Sequence, residues 1–256
     1  MDLYEAAGTL GVHYQTAYAW VRQGVLPARK VGRSYEISEA DARELAARRG
    51  QGARPPRPIR VRDWAAQSQR LHAALAEGDE RLARQRLDRL AGGVPLIHLC
   101  AHVIGPALER IGDDWAAGRV SIADEHRASA ICERLISGYA RQPGGRPRGV
   151  AVVTTPPGER HGLPALMAAG CLREDRWQVH HLAADLPVAE VIRLAGRVGA
   201  GLVVLSSATT AAAHLAQAAS REINAAVPGV TVLAGTPGES LHDLRARAAS
   251  LPRRRA

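Results

Sequence analysis

Residues 149–251 alternate between short apolar runs and longer amphipathic stretches, and this alternation constrains the fold more than any other feature of the chain. The apolar runs cover 149–154, 178–182, 202–206 and 230–234. Helical patterns follow at about 163–173, 188–198, 210–226 and 239–250. Near-continuous apolar strands are typical of a sheet buried on both faces. The alternation therefore predicts a doubly wound parallel α/β sheet of Rossmann-like type over 149–256, with no visible fifth strand.

The preceding segment, residues 61–142, predicts a four-helix bundle with helices at about 61–76, 79–91, 95–117 and 121–141. Glycines between these stretches mark the turns. One face of the third helix is apolar, with steps of three and four residues. Its members are Ile97, Cys100, Ile104, Ala107, Ile111 and Trp115. Taken alone, this stripe favours a core position for Trp115.

The fourth predicted helix places a carboxylate on its inward face. Its stripe is Ile122, Glu125, Ser129, Cys132 and Ile136, and His126 lies at the edge of the same face. A charge is costly there unless it is paired. Glu125 could pair with one of the many arginines, or it could be held for a ligand.

Residues 1–50 predict a compact unit of two helices joined by a tight turn, a small hairpin with a basic tip, and a third helix. This order predicts a winged helix-turn-helix. Residues 51–60 are rich in proline and arginine and predict a linker. A small protein-binding helical domain is the alternative interpretation of the N-terminal unit.

Charge favours polyanionic partners over other classes. The net charge is +9, and residues 1–60 carry 10 basic and 6 acidic side chains, which gives +4. The three cysteines are far apart without a CxxC pair, so neither a disulfide framework nor a zinc knuckle is predicted. Without a signal peptide or a long apolar segment, we expect a soluble cytoplasmic protein that is not associated with membranes.

The loop that follows the first strand of the predicted sheet, residues 154–162, is the candidate ligand site. Ligands of open α/β sheets bind at such loops. The loop has no glycine-rich phosphate motif. It contains Glu159-Arg160-His161, which suits a metal ligand whose second ring nitrogen is held by an acid. An ordinary exposed or structural histidine is the alternative for His161.

The N-terminal unit resembles the MerR/excisionase type of winged helix-turn-helix. The matching residues are Glu5-Ala6-Ala7, Leu10-Gly11-Val12, Thr16, Trp20, Gly24, Leu26-Pro27 and Gly32. The resemblance implies that the second helix enters the major groove of DNA while the hairpin tip touches the backbone. The DNA-contacting candidates are Tyr14, Gln15, Tyr18, Arg22, Lys30 and Arg33.

The bundle and sheet resemble the cobalamin-binding module of methionine synthase and of corrinoid proteins. The module's acid-x-His-x-x-Gly loop matches Glu159-Arg160-His161-Gly162-Leu163-Pro164, with proline in place of the last glycine. Its later motifs match Ser206-Ser207-Ala208 and Gly235-Thr236, each with one departure. The resemblance implies His161 as the lower cobalt ligand, oriented by Glu159. It implies further cofactor contacts at Gly162, Ser206, Ser207, Thr209, Gly235 and Thr236.

With its N-terminal unit, the chain resembles the CarH/LitR type of cobalamin-dependent, light-sensing repressor. That family carries a Trp, nine residues and Glu-His in its bundle, which Trp115 and Glu125-His126 match. The resemblance implies adenosylcobalamin as cofactor, with Trp115, Glu125 and His126 on the adenosyl side. It implies a dark homotetramer on operator DNA that light disassembles by breaking the cobalt–carbon bond, and no enzymatic activity.

The motif departures leave two other functions open. One is a MerR-type regulator that senses cobalamin without light, or that has lost cobalamin. The other is a corrinoid methyl carrier, which gives no reason for a DNA-binding unit. For the cobalt ligand that replaces the adenosyl group after photolysis, the candidates are His126, His102 and water.

Overall fold

The computed structural model describes residues 1–12, 14–22, 25–31, 34–50, 63–91, 94–140 and 142–252. The chain forms two compact units, Met1–Asp63 and Trp64–Ala256. The predicted linker 51–60 lies outside the described residues. Within the described part, no helix has both the length and the apolar character needed to cross a membrane.

The first unit is a helix-turn-helix followed by a hairpin and a third helix. Its elements are α1 (Leu3–Thr9), α2 (Tyr14–Arg22), β1 (Arg29–Val31), β2 (Ser34–Glu36) and α3 (Glu39–Gly50). The two strands pair antiparallel. Leu3, Leu10, Leu26 and Ile37 are buried in a shared core that also takes in Ala17 of α2. The unit therefore holds α2 against α1 by apolar packing.

Helices make up the first part of the second unit. They are α4 (Trp64–Glu77), α5 (Glu80–Ala91), α6 (Leu96–Leu99), a π-helical segment (Cys100–Ile104), α7 (Gly105–Ala116) and α8 (Ile122–Tyr139). The predicted third helix is thus one helical path interrupted by a π-helical turn. The apolar stripe is buried at Ile97, Cys100, Ile104, Ala107 and Ile111.

Proline explains the π-helical turn, which the periodicity did not predict. Pro106 stands at the start of α7. A proline inside a helix has no N–H to donate and clashes with the carbonyl four residues earlier. Here the Gly105 N–H donates to the carbonyl of Cys100, five residues back. The wider turn lets the helix continue through the proline.

A four-stranded parallel sheet forms the rest of the unit, as the alternating pattern predicted. Its strands are β3 (Gly149–Thr154), β4 (Trp177–His181), β5 (Leu202–Leu205) and β6 (Thr231–Ala234), in the order β4-β3-β5-β6. Its helices are α9 (Gly162–Glu174), α10 (Val188–Val198), α11 (Thr210–Ala226) and α12 (Leu241–Ala249). The described residues provide no fifth strand.

The sheet is covered on both faces, and the bundle adds a further layer. One face packs on α9 and α12, and the other packs on α10 and α11. The bundle core continues onto α9 through Leu166 and Met167. A Cβ atom at Gly170 of α9 would lie 2.7 Å from Leu96 Cδ2 and 3.2 Å from Ala140 Cβ. The bundle therefore rests closely on the outer face of α9.

Candidate functional site

The order of strands creates a crevice at the carboxyl edge of the sheet. The chain leaves β3 toward one side, into α9 and β4, and leaves β5 toward the other, into α11 and β6. The loops after β3 and β5 diverge at such a switch point, which is where open α/β sheets bind ligands. His161 ends the first of these loops and immediately precedes α9.

A buried carboxylate fixes the imidazole of His161. Glu159 is 3% exposed. Its Oε1 atom accepts the His161 backbone N–H at 2.9 Å and lies 2.5 Å from His161 Nδ1. Its Oε2 atom accepts the N–H of Ala208, in the loop after β5, at 3.1 Å. Because Nδ1 faces the carboxylate and the side chain of His161 is 65% exposed, Nε2 is the nitrogen available to a metal.

Hydrogen bonding keeps Glu159 ionised inside the protein. Burial by itself raises the pKa of this carboxyl group, because it removes water from the charged form. The backbone and ring of His161 and the N–H of Ala208 donate to the carboxylate and outweigh burial, so the pKa lies below its usual value. Glu159 is therefore a fixed negative charge that orients an imidazole, and it joins the two loops of the crevice.

The segment after β4 is hydrogen-bonded to the loop that carries His161. The hydroxyl of Thr155 donates to the carbonyl of Glu159 at 2.6 Å and accepts the N–H of Asp185 at 2.8 Å. Asp185 Oδ1 accepts the N–H of Gly158 at 2.7 Å. Ala183 and Asp185 both have φ of 58°, a conformation that costs a non-glycine residue about 1 kcal/mol or more. Such local strain persists where surrounding contacts hold the backbone, as they do here.

The two later motifs, at 206–208 and 235–236, lie close together at the carboxyl edge of the sheet. A Cβ atom at Gly235 would lie 3.3 Å from the carbonyl oxygen of Leu205 and 3.4 Å from the nitrogen of Ser207. A side chain at position 235 would therefore crowd the backbone of the loop after β5, and glycine suits the close approach of the two loops. The Ser207 hydroxyl is buried and has no hydrogen-bonding partner among the described residues. Ser206 lies half-buried beside it.

The remaining sheet-domain candidates take structural roles or stay exposed. The Thr209 hydroxyl accepts the N–H of Ala212 at 3.1 Å and caps α11. Thr236 is exposed, and its N–H donates to Glu239 at 3.3 Å. Gly162 is the first residue of α9. Leu215 of α11, which sequence analysis did not single out, is 47% exposed, and a Cβ at Gly158 would lie 3.8 Å from its Cδ1.

In the bundle, Trp115 departs from the predicted core stripe. It is 49% exposed, and Ile122 across the α7–α8 turn is 58% exposed. The stripe interpretation was therefore wrong for these two residues, because both lie where the helices leave the bundle core. The neighbouring Asp114 fixes this end of α7: Oδ2 lies 2.7 Å from Nε2 of His72 in α4, and Oδ1 accepts from Arg119 Nε at 2.6 Å. Neither His72 nor Asp114 stands out in the sequence, because 42 positions separate them.

Glu125 is half-buried and bonded within its own helix. Oε2 lies 2.6 Å from Nδ1 of His126, and Oε1 accepts the Ser129 hydroxyl at 2.8 Å. The arginine partner considered from the sequence is not observed among the described residues. The two side chains stand near the turn that carries Trp115, at the end of the bundle opposite Leu96 and Ala140.

His102 lies away from this end of the bundle. It stacks on Trp64, with ring centroids 5.5 Å apart. It is thirteen positions from Trp115 along the same helical path, which corresponds to roughly 20 Å at ~1.5 Å per residue. His102 and Trp115 therefore lie several turns apart on this helical path.

Of the DNA-contacting candidates, Tyr14, Gln15, Tyr18 and Arg22 belong to α2, and Lys30 belongs to β1. Tyr18 is half-buried and packs edge-to-face on Tyr35 of β2, with centroids 5.9 Å apart. The other three side chains of α2 and that of Lys30 lie outside the described atoms, as does the whole of Arg33.

Comparison with protein families matches all three parts of the chain. Residues 67–137 and residues 149–249 each match a family described as B12 binding domain. Residues 1–50 match a family described as helix-turn-helix domain. The chain is therefore a cobalamin-binding protein with a DNA-binding helix-turn-helix domain. A search of curated proteins found no significant match.

One solved structure shares the fold of the bundle and sheet, and two others are similar over a large part of the chain. The monomethylamine corrinoid protein of Methanosarcina barkeri is 16% identical, with a TM-score of 0.54 over 72% of this chain and 97% of that chain. A methanol:cobalamin methyltransferase complex from the same organism is 14% identical, with a TM-score of 0.37 over 85% and 95%. A cobalamin-binding protein from Desulfitobacterium hafniense is 17% identical, with a TM-score of 0.34 over 73% and 90%.

The residues present fit a corrinoid. Nε2 of His161 can coordinate cobalt, and Glu159 holds the ring in the required orientation. The unpartnered Ser207 hydroxyl and the close approach at Gly235 suit a polar group threaded between the loops after β5 and β6. Trp115 and Ile122 present an exposed apolar surface on the bundle.

Proposed function

We propose that the protein is a transcriptional repressor whose DNA binding depends on adenosylcobalamin and light. The arrangement of His161 carries the cobalamin part of this proposal. Its Nδ1 is held by a buried, ionised carboxylate, and its exposed Nε2 is aimed away from that partner. A histidine whose second ring nitrogen is held by an acid is the usual arrangement of a metal-binding histidine. The helix-turn-helix domain supports DNA as the partner.

The adenosyl form is proposed from the bundle. Trp115 is half-exposed on a turn whose geometry is fixed by Asp114, His72 and Arg119. An aromatic side chain left exposed in this way suits stacking on a planar group such as adenine. Glu125 retains acceptor capacity beside His126 and can receive ribose hydroxyls. When bound, adenosylcobalamin supplies a cobalt–carbon bond that visible light breaks.

The regulatory output is proposed to be a change of assembly. In the dark, the cofactor-loaded protein would form a homotetramer that places several helix-turn-helix domains on one operator. Linked domains bind with a high effective concentration, so separation of the subunits alone is sufficient to release DNA. This regulator needs no catalytic residues, and the proposal includes none.

The test uses the full-length chain with adenosylcobalamin, handled in the dark and then illuminated with green light. We expect the cofactor spectrum to show histidine coordination and the particle mass to fall after illumination, with release of operator DNA. The His161→Ala variant should lose the histidine-coordinated spectrum. A wild-type spectrum in this variant would show that His161 is not the ligand.

The experiment distinguishes a failure of light sensing from a failure of cofactor binding. A cofactor that binds but produces no change of mass or DNA affinity on illumination would overturn light sensing and favour the light-independent cobalamin sensor. Absence of any spectral change with adenosylcobalamin would overturn the cofactor itself. Transfer of a methyl group with a partner enzyme would favour the carrier.

A further inference from the structure

Three histidines form a cluster away from the crevice. His98 is the next-to-last residue of α6, His102 lies in the π-helical segment, and His242 lies in the first turn of α12. Each offers one ring nitrogen, and the three nitrogens all lie within 4.8 Å of one another. The ring centroids are 5.8 Å apart for His98–His102, 5.1 Å for His98–His242 and 5.8 Å for His102–His242.

The sequence spacing on the helical path is that of a helical metal site. His98 and His102 are four residues apart, which places both imidazoles on one face of the helix. Paired histidines at this spacing bind zinc on one helix face in other proteins. The third ring comes from α12, whose first turn is fixed by a reciprocal capping interaction between Ser240 and Asp243.

Within the described part of the chain, the three rings have ring contacts, including His102 on Trp64, but no hydrogen bond or ion pair. Two charged groups lie near the cluster: Arg245 acts on His98 and is paired with Asp175, and Asp243 acts on His242. Burial, followed by the neighbouring His242, His102 and Arg245, lowers the pKa of His98.

We propose that His98, His102 and His242 bind a divalent transition-metal ion of the zinc class. Three imidazoles are a ligand set that zinc accepts, with water in the fourth position. A Zn–N bond of about 2.0–2.1 Å in tetrahedral geometry needs ligand nitrogens roughly 3.4 Å apart. The nitrogens lie within 4.8 Å of one another, and His242 is exposed, so rotation of its side chain would have to supply the remaining approach. The ion would connect the start of the third bundle helix to α12 of the sheet layer.

Zinc binding is measured by calorimetry on the full-length chain without a histidine tag, free of cobalamin and stripped of metal with a chelator. We expect one zinc equivalent per chain and a rise of several degrees in the melting temperature. His98→Ala, His102→Ala and His242→Gln should each weaken binding at least tenfold, because each removes one of three ligands. The matched control is His214→Ala, an exposed histidine of α11 outside the cluster, which should bind zinc like the wild type.

Two results would overturn the site: no zinc binding by the wild-type chain, or undiminished binding by His242→Gln. The latter residue is exposed, so its replacement tests the ligand without threatening the fold. Because the titration contains no cobalamin, its outcome is independent of the proposed cofactor function. Retention of the cobalamin spectrum by His242→Gln would separate the two sites further.

Discussion

The Oε1 atom of Glu159 lies 2.5 Å from Nδ1 of His161, while Oε2 of the same carboxylate accepts the backbone N–H of Ala208. One side chain therefore sets the orientation of the imidazole and ties together the loops after β3 and β5. The carboxylate is buried and the imidazole is exposed. A substitution at Glu159 should therefore change both the affinity for cobalamin and the stability of the folded protein.

Replacing Glu159 by glutamine should weaken cobalamin binding. The amide can accept from only one oxygen, so its NH₂ group must face either the N–H of Ala208 or the donors of His161. Loss of a partner that orients a metal ligand typically lowers metal affinity about 10–100-fold. Titration with adenosylcobalamin in the dark, followed by absorbance, measures the change. The matched control is Glu190→Gln on α10, an acid paired with Arg193 on the surface, which should bind like the wild type.

Stability of the protein toward acid should also depend on Glu159. The folded pKa of this carboxyl group is below its ordinary value of 4.5. Its ionised form therefore stabilises the folded state fully above pH 4.5, and this contribution is lost as the pH falls through the folded pKa. Urea unfolding at pH 7, 5, 4 and 3 should show a free-energy difference between wild type and Glu159→Gln that shrinks below pH 4.5. A difference independent of pH would contradict this assignment.

Alanine variants of Trp115 and Ile111 should distinguish a side chain that contacts the cofactor from one that packs in the bundle core. Ile111 is 1% exposed and Trp115 is 49% exposed, one turn further along α7. Ile111→Ala should cost the cofactor-free protein about 2–5 kcal/mol, whereas Trp115→Ala should cost no more than ~1 kcal/mol.

With adenosylcobalamin the effect of Trp115→Ala should become large. Loss of an aromatic contact of about 1.4 kcal/mol corresponds to roughly tenfold weaker binding. Denaturation of the cofactor-free variants and cofactor titration in the dark measure the two effects. Equal affinity in wild type and Trp115→Ala would exclude a role for Trp115 in holding the adenosyl group.

Gly170 should be required for the packing of the bundle on α9. An added Cβ would lie 2.7 Å from Leu96 Cδ2 and 3.2 Å from Ala140 Cβ, so Gly170→Ala should destabilise the protein by about 1–3 kcal/mol. In Gly196→Ala, a Cβ on α10 meets nothing within 4 Å. This control should stabilise the protein by ~0.4–1 kcal/mol, since alanine favours the helix and restricts the unfolded chain. Urea unfolding of both variants provides the measurement, and a stable Gly170→Ala would show that the helices can move apart.

Periodicity predicted the sheet well because strands buried on both faces must be apolar throughout, a pattern that local sequence displays. The predicted run 178–182 and the observed β4, Trp177–His181, differ by one residue at each end. The π-helical segment was not predicted, because a period of three and four residues continues across it. The residue that indicates the π-helical segment is Pro106. Its missing N–H disturbs the hydrogen bonding only where the helix continues through the proline.

The motif spacing indicated which residues approach the ligand, but their contacts depend on the tertiary structure. Asp185 follows β4, and its bond to Gly158 joins positions 27 residues apart. The same applies to His72 and Asp114, which are 42 residues apart. The sequence offered a weak signal for Asp185, since polar residues after strand ends meet at the carboxyl edge of a parallel sheet.

The sequence by itself determined the three folded parts of the chain and the chemistry of Glu159 and His161, because burial patterns and residue types are local properties. Only the tertiary structure decided that Trp115 is exposed and that Glu125 bonds to His126 and Ser129. It also brought His242 to His98 and His102, across 144 and 140 positions of sequence (242 − 98 and 242 − 102). Such relationships arise where helices from distant segments end or cross, and a helix end is placed by the packing of the whole unit.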